Sequence, residues 1–424
     1  MNSSQRIVLV LLILCLLGGV ISGSQFYYRL VYFWILFFVV SWAQSYFSLR
    51  GLDFQRTARV TRSHVGQIFE ERFEVHNTNR LSRLWIEVRD ETELPGSRGS
   101  QVLSMLHGRE ARTYMIRTRL TERGVFPLGP TTLASGDLFG LFPVKRQFPS
   151  QDSLLVYPMM VEVQSFPSPA GWLSGGEALR RRTQQITANA SGVRDYAPGD
   201  PLNRIHWLST ARRDSLIVKE FELDPMSEVW IFVDAARNVH FELPREPIHY
   251  DEREMWRPSL KIPLAPSTEE YAVAVAASLA RYYLQRGRII GLVSAGHTYS
   301  VLPAEKGSRQ LGKILEALAL LRAEGKLPLQ GLVEAQIKNL PRGSTVVLIT
   351  PATGDGVVLS VELLSRRGMR PIVVLIDAES FEGPSGMIRV AKQLELLSVP
   401  FSHVKNGDDL TSALSHNISR QRWS

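Results

Sequence analysis

The chain opens with two almost wholly apolar runs, Ile7 to Ser22 and Leu30 to Phe47, joined by the short connector 23–29. Each run is near the lower limit of the ~17–25 residues that span a bilayer. The spacing predicts a tight transmembrane helical hairpin over residues 1–50. Tyr27, Tyr28, Trp34, Trp42 and Tyr46 would populate its membrane interfaces. Beyond residue 50 the pattern changes to alternation. Ile68 to Val75, Arg83 to Val88 and Ala111 to Leu120 place apolar side chains at every second position, with Tyr114, Ile116 and Thr118 on one face. Turn clusters stand at Asn77-Thr78-Asn79 and Pro95-Gly96. Residues 51–165 therefore read as a β-sandwich of roughly seven strands.

From residue 228 the pattern changes again. Val229 to Asp234 is a buried strand, and residues 268–286 form a helix with Tyr271, Val275, Leu279 and Tyr282 inward. Ser267 and Glu270 predict a capping box, and Gly287 a stop. Strands follow at 288–294, 345–350, 371–377 and near Phe401. Helices follow at 308–323, 357–367, 385–397 and near Asp409. Strands alternating with helices predict a doubly wound α/β domain over 228–424. Residues 239–266 interrupt it with Pro, His, Tyr and Trp at the carboxyl end of its first strand, where such sheets place ligands. The fold class is α+β multidomain.

Between these regions, residues 166–227 hold a linker and the most polar stretch of the chain. Pro167, Pro169, Gly171, Gly175 and Gly176 precede Arg180-Arg181-Arg182, whose default reading is a solvated face. Then comes Gly192-Val193-Arg194-Asp195-Tyr196-Ala197-Pro198-Gly199-Asp200-Pro201-Leu202-Asn203-Arg204-Ile205-His206-Trp207, running through Ala211-Arg212-Arg213 to Lys219-Glu220-Phe221-Glu222. Pro198-Gly199 signals a turn. Asp200-Pro201 signals a helix start, with the carboxylate as cap and Pro at the first helical position. That helix would carry Leu202, Ile205 and Leu208 inward and Arg204, Trp207 and Ala211 along a neighbouring stripe. A strand would follow over Ser215 to Phe221. Arg194, Asp195, Asp200, Arg204, Arg212, Arg213 and Asp214 make a nearly balanced charge set. It reads as an ion-pair network pinning turn, helix and strand, or as a docking surface anchored by Arg and Trp. The candidate interaction residues are Arg194, Asp195, Tyr196, Pro198, Gly199, Asp200, Arg204, His206, Trp207 and Arg212. A catalytic reading would pair His206 with Asp200 or Asp195 as acid and base.

This stretch closely resembles the signature of the bacterial "domain of unknown function 58" family. The surroundings resemble it too: two spans, a β-rich segment with Gly124 to Pro130 and Asp137 to Phe142, the signature, then an α/β unit. The resemblance implies a membrane-anchored protein whose α/β domain is von Willebrand factor A-like. It also implies a MoxR-type AAA+ ATPase as neighbour, and in some cases a transglutaminase-like membrane protein. The family has no established biochemical activity, so the resemblance narrows fold and partners more than chemistry.

Charge and cysteine usage refine this picture. Hydrophobic residues are 44% and charged residues 21%, ordinary for folded protein. The single Cys15 excludes an internal disulfide framework, and the flanking leucines argue against a lipoprotein. Arg6 precedes the first run, and Arg50, Arg56, Arg59 and Arg62 follow the second, while the connector holds only Arg29. Counting positive charge puts both outer flanks, and everything after residue 50, on the cytoplasmic side of the bacterial inner membrane. The rival reading takes the first run as a cleaved signal peptide ending near Ser22-Gly23-Ser24. The net charge of +8 fits arginines lying against anionic headgroups, each contributing about 1 kcal/mol. No nucleic-acid-binding motif is present.

Two ligand motifs were tested against the α/β region. A-type domains often carry Asp-x-Ser-x-Ser after the first strand, oxygen ligands suited to a hard divalent cation. Here the positions read Asp234, Ala236 and Asn238, and Pro351 stands where a later acid is wanted, with Asp355 further on. The metal site is degenerate, and Asp234 reads instead as a cap at a strand end. Gly307 to Lys313 matches the opening of a phosphate loop, but Ile314 replaces the Ser or Thr that holds Mg²⁺. No cofactor or catalytic residue is assigned. The expectation is a non-enzymatic, membrane-tethered adaptor. The alternatives are an envelope-metabolism enzyme using Asp195, Asp200 and His206, or a metal-dependent adhesion-type module.

Overall fold

The computed structural model describes residues 3–167, 190–196, 205–213, 215–221, 228–245 and 263–416. The chain forms a mixed α/β protein with two apolar N-terminal helices and several sheets. It divides into two compact units, one built chiefly from Met1–Met159 and the other from residues after it.

In the first unit, α1 (Ser3–Ser22) and α2 (Gln25–Ser48) are antiparallel neighbours, with Ser24 capping the second through a bond from the Phe26 N–H. Both are long and apolar enough to cross a membrane. Only 11% and 17% of their apolar windows are buried, whereas a core helix of a soluble protein is mostly buried.

Ten strands follow: β1 (Leu52–Ala58), β2 (Arg62–His64), β3 (Ile68–Asn77), β4 (Arg83–Asp90), β5 (Gln101–Leu106), β6 (Ala111–Arg119), β7 (Gly124–Pro127), β8 (Thr131–Ser135), β9 (Val144–Phe148) and β10 (Ser153–Tyr157). They form sheets of order β1-β3-β6, β5-β4-β8-β9 and β2-β10-β7. Leu52, Phe73 and Val75 of the first sheet share a core with Ile86, Val88, Leu103, Leu106 and Leu133 of the second. Phe69, Leu128, Leu154 and Val156 form a second core against the third sheet. Ten strands exceed the roughly seven expected. β2 and β7 are three and four residues long, too short to alternate, and β8 is buried on both faces.

One ionic cluster lies inside this unit. Arg56 Nε donates to Glu71 Oε1 at 2.7 Å and its Nη1 to Asp90 Oδ1 at 2.8 Å. All three side chains are at most 6% exposed. Burial pushes the Glu71 carboxyl above its usual range, opposed by Arg56.

The second unit begins with β11 (Ala190–Asp195), α3 (Trp207–Arg213) and β12 (Ile217–Phe221). Its sheet is formed by β13 (Val229–Val233), β14 (Ile290–Ala295), β15 (Tyr299–Glu305), β16 (Thr345–Thr350), β17 (Arg370–Ile376) and β18 (Phe401–Val404). Its helices are α4 (Thr268–Gln285), α5 (Ser308–Leu320), α6 (Leu329–Gln336), α7 (Gly356–Arg366), α8 (Met387–Leu396) and α9 (Leu410–His416). The strand order is β15-β14-β13-β16-β17-β18, parallel except for β15. The chain thus runs outward from β13 in both directions, which sets a topological switch between β13 and β16. The central strands are buried throughout, as a two-sided parallel sheet requires.

The sequence missed β15 and α6. β15 is an edge strand exposed or half-exposed throughout, and α6 is only eight residues long. The capping box is also corrected: Ser267 makes no side-chain cap. The neighbouring Thr268 hydroxyl instead accepts the Phe241 N–H, and Glu269 accepts the Ala323 N–H. The stretch read as linker starts as packed chain. Phe166 is buried, its N–H donates to the Tyr282 hydroxyl at 3.0 Å, and the Tyr283 hydroxyl donates to the Pro167 carbonyl. Arg180, Arg181 and Arg182 lie outside the described residues.

Candidate functional site

The signature folds as a two-stranded antiparallel unit with a short helix between its strands. β11 pairs with β12 from Ala190 opposite Phe221 to Asp195 opposite Ile217. The Tyr196 N–H donates to the Leu216 carbonyl and the His206 N–H to the Ile217 carbonyl, both at 2.8 Å. Ile205 forms a β-bridge with Val218, and Ile205, Ile217 and Val218 are buried. The β-branched side chains thus hold this unit together, and α3 is fastened to β12 by a bond from the Ile217 N–H to the Thr210 hydroxyl.

α3 begins at Trp207, and the helix start expected at Asp200-Pro201 lies outside the described residues. Ile205 lies inward as expected, but its backbone is already engaged in strand pairing. Leu208, expected inward, is 65% exposed, and Trp207 beside it is 67% exposed. Leu216 is also exposed, and so are Asp195 and Arg212. His206 Nδ1 lies 2.7 Å from the Ser209 hydroxyl, three residues on, a contact between two side chains. Pro198, Gly199, Asp200 and Arg204 lie outside the described residues, as does the side chain of Arg194. The surface brought together here is an apolar pair flanked by polar groups, and sequence reasoning had missed Leu208 and Leu216 as part of it. The signal was their position beside Trp207 and Ser215, where burial was assumed from periodicity alone.

A second candidate lies at the switch between β13 and β16. Asp234 follows β13 and Thr350 ends β16, and the Thr350 hydroxyl donates to Asp234 Oδ2 at 2.6 Å. The other oxygen, Oδ1, accepts the Ala236 N–H. His240 Nε2 donates to the Asp234 carbonyl at 2.8 Å, which fixes the proton on that nitrogen. Its Nδ1 faces the Thr268 hydroxyl at 3.1 Å. Asn238 is exposed in a short turn, and Asp355 is an exposed helix-start residue paired with Arg389. Among the described residues no three His, Cys, Asp or Glu side chains converge as metal ligands. The turn around Gly325 crosses the strand ends above this point, its N–H donating to the Ala235 carbonyl at 2.9 Å. His240 carried no signal beyond the unusual composition of the 239–266 insertion, and Thr268 and Gly325 carried none. At the phosphate-loop match, Lys313 pairs with Glu305 at 2.7 Å.

Burial holds Asp234 above its ordinary value of 3.8, with the Thr350 hydroxyl and the His240 ring opposing. The folded chain therefore binds this proton more tightly than the unfolded chain. The resulting stabilisation is full below 3.8 and is lost as pH rises through the folded-state value. Asp234→Asn mimics the protonated acid and is expected to flatten this loss. Glu71, shifted in the same direction, leaves a residual slope. Thermal midpoints across that window check it, and an unchanged slope in the variant would refute the assignment.

Comparison with known proteins covers the first candidate and part of the second, including Asp234 and His240. Over 274 residues the chain is 24% identical to an uncharacterized protein, YeaD, of Bacillus subtilis strain 168. The match covers 63% of this chain and 60% of that protein's length. Among solved structures, the CARDB domain of the PF1109 protein of Pyrococcus furiosus overlaps 25% of this chain and 91% of its own. That overlap has 12% identity and a TM-score of 0.18, too low to carry an argument. A β-glucosidase of Erythrobacter marinus overlaps 23% of this chain and 15% of its own, at 12% identity and a TM-score of 0.16. The family model that matches is described as protein of unknown function DUF58, and the residues it matches, 192–247, are those of the β11–α3–β12 unit, β13 and the loop that follows.

Proposed function

We propose that this chain is a membrane-tethered adaptor of the DUF58 family that docks a MoxR-type AAA+ ATPase through the exposed face of α3. The observation that carries this reading is the exposure of Trp207 and Leu208 side by side on a helix, with Arg212 exposed on the same element. Exposed Trp and Arg are the residue types that anchor interfaces. The two apolar helices support a membrane hairpin, and positive charge after α2 supports a cytoplasmic position for the rest. The sheet order with its antiparallel β15 edge supports a von Willebrand factor A-like unit. In that unit the Asp234–Thr350 bond takes the place of a metal site. A transglutaminase-like membrane protein is a further partner of the assembly.

The test is a crosslinked pull-down from detergent-solubilised membranes, comparing wild type with Trp207→Ala and with an exposed control, Leu359→Ala on α7. The ATPase is expected with wild type and the control. It is expected to be depleted at least tenfold with Trp207→Ala, as losing a hot-spot side chain costs about 2 kcal/mol or more. Circular dichroism verifies that each variant is folded. Equal recovery with Trp207→Ala sinks the docking assignment.

A further inference from the structure

The loop after β8 is built in an unusual way. Asp137 is 1% exposed, yet the next two residues, Leu138 and Phe139, are 63% and 59% exposed. The Asp137 carboxylate takes three backbone N–H groups of its own loop, those of Phe139, Leu141 and Phe142, at 3.0, 3.1 and 2.6 Å. Two of the loop carbonyls are satisfied from the helical hairpin. Gln5 of α1 donates to the Leu141 carbonyl at 2.8 Å, and Ser45 of α2 donates to the Phe142 carbonyl. Phe142 packs on Phe38, and the Phe139 ring lies 4.7 Å from Phe37.

Those contacts fix the depth of the loop. Trp42 and Tyr46 stack on each other near the end of α2, and the Arg50 guanidinium lies over Tyr46. Such a belt of aromatic side chains with an Arg beside it marks the level of the headgroups. Phe37 lies five residues further into α2 than Trp42, ~7.5 Å along the axis. Phe139, packed against it with the rings tilted by 59°, therefore lies below the belt, within the ~5–10 Å that interfacial elements penetrate. Irregular backbone survives at that depth only where its polar groups are satisfied by protein, and Asp137, Gln5 and Ser45 do this for the Phe139, Leu141 and Phe142 N–H groups and the Leu141 and Phe142 carbonyls.

We propose that the Asp137–Phe142 loop is a third membrane contact, an interfacial wedge whose Leu138 and Phe139 side chains lie among lipid acyl chains beside α2. This rests on the reading of α1 and α2 as a membrane hairpin. The exposed apolar tip is continuous with the exposed face of α2 that carries Phe33, Leu36 and Val40, so the occupant that covers one covers the other.

The experiment uses the full chain with Cys15→Ser and one new cysteine labelled with the fluorophore NBD: Leu138→Cys, Phe139→Cys, Leu36→Cys on α2, or Val60→Cys on the exposed β1–β2 loop at the far end of β1 from Arg50. Each is reconstituted into phosphatidylethanolamine–phosphatidylglycerol liposomes with or without nitroxide-labelled acyl chains. Labels at 138 and 139 are expected to emit blue-shifted light and to be quenched to an extent comparable to that at 36, while 60 is unaffected. Quenching at 36 but not at 138 or 139 overturns the wedge and leaves the hairpin standing. If label 138 is instead blue-shifted, unquenched and crosslinked to a second copy, the tip is a protein interface and the wedge is again overturned. Absence of quenching at 36 overturns the hairpin and the wedge with it.

Discussion

Arg56→Met is expected to destabilise the β-rich unit by about 3–5 kcal/mol, the cost of leaving buried charges without their partner. Arg56 reaches Asp90 with two nitrogens, at 2.8 and 3.4 Å, and Glu71 with a third at 2.7 Å. Its guanidinium also lies 5.0 Å from the Phe73 ring, itself stacked on Tyr114. Methionine would fill much of the space but would leave two carboxylates facing each other out of water. Glu71, already raised by burial, would be driven higher. Because the chain holds two compact units, a single global transition is a poor measure. Hydrogen exchange of the β3 and β4 amides, followed through denaturant in detergent, reads this unit alone. Adding Glu71→Gln and Asp90→Asn to Arg56→Met is expected to restore much of the loss, since neutral amides carry no stranded charge. A loss below about 1 kcal/mol from Arg56→Met would mean that the triad behaves as an exposed ion pair does.

The second large effect is expected at Gly325. A Cβ built there would stand 1.9 Å from the Ala295 carbonyl oxygen and 2.8 Å from that of Ala235. Both obstacles are backbone at the ends of β14 and β13, and neither can rotate away. Gly325 is held from both sides, its N–H donating to Ala235 and its carbonyl accepting the Arg237 N–H, each at 2.9 Å. Gly325→Ala must therefore either break these bonds or move the strand ends. A loss of about 3 kcal/mol is expected, the upper end of the usual overpacking cost. Gly312→Ala on α5, where a Cβ meets nothing within 4 Å, is the control. It is expected to be neutral or to stabilise by up to about 1 kcal/mol through helix propensity. Thermal unfolding of both variants checks the pair, and equal midpoints would mean that the strand ends yield freely.

What was legible in the sequence follows from length and burial. Thr345 to Thr350 and Thr268 to Gln285 emerge almost to the residue, because long buried elements carry strong periodicity. β15 carries little, since only Val301 and Ala304 pack on the core and its burial does not alternate, and β2 is shorter than one full alternation. At the signature, the Asp200-Pro201 start signal lies outside the described residues, but Ile205, expected inside that helix, is held instead by Val218 across the unit. Local propensity lost there to strand pairing. Leu208 is the instructive miss. It satisfies the helical period yet faces outward, and a periodicity argument cannot tell a buried stripe from one kept for another molecule. Asp234 was read as a strand-end cap, but its partner Thr350 lies more than a hundred residues away and could come only from the sheet order.

The β11–β12 unit has one more property worth drawing out. Ala190, where the chain enters it, stands opposite Phe221, where the chain leaves. Residues facing each other across an antiparallel pair are about 5 Å apart. Topologically the signature is thus a peninsula, joined to the rest of the chain along one narrow neck. Such a segment can be lengthened, exchanged or moved to another host without disturbing the order of the larger sheet.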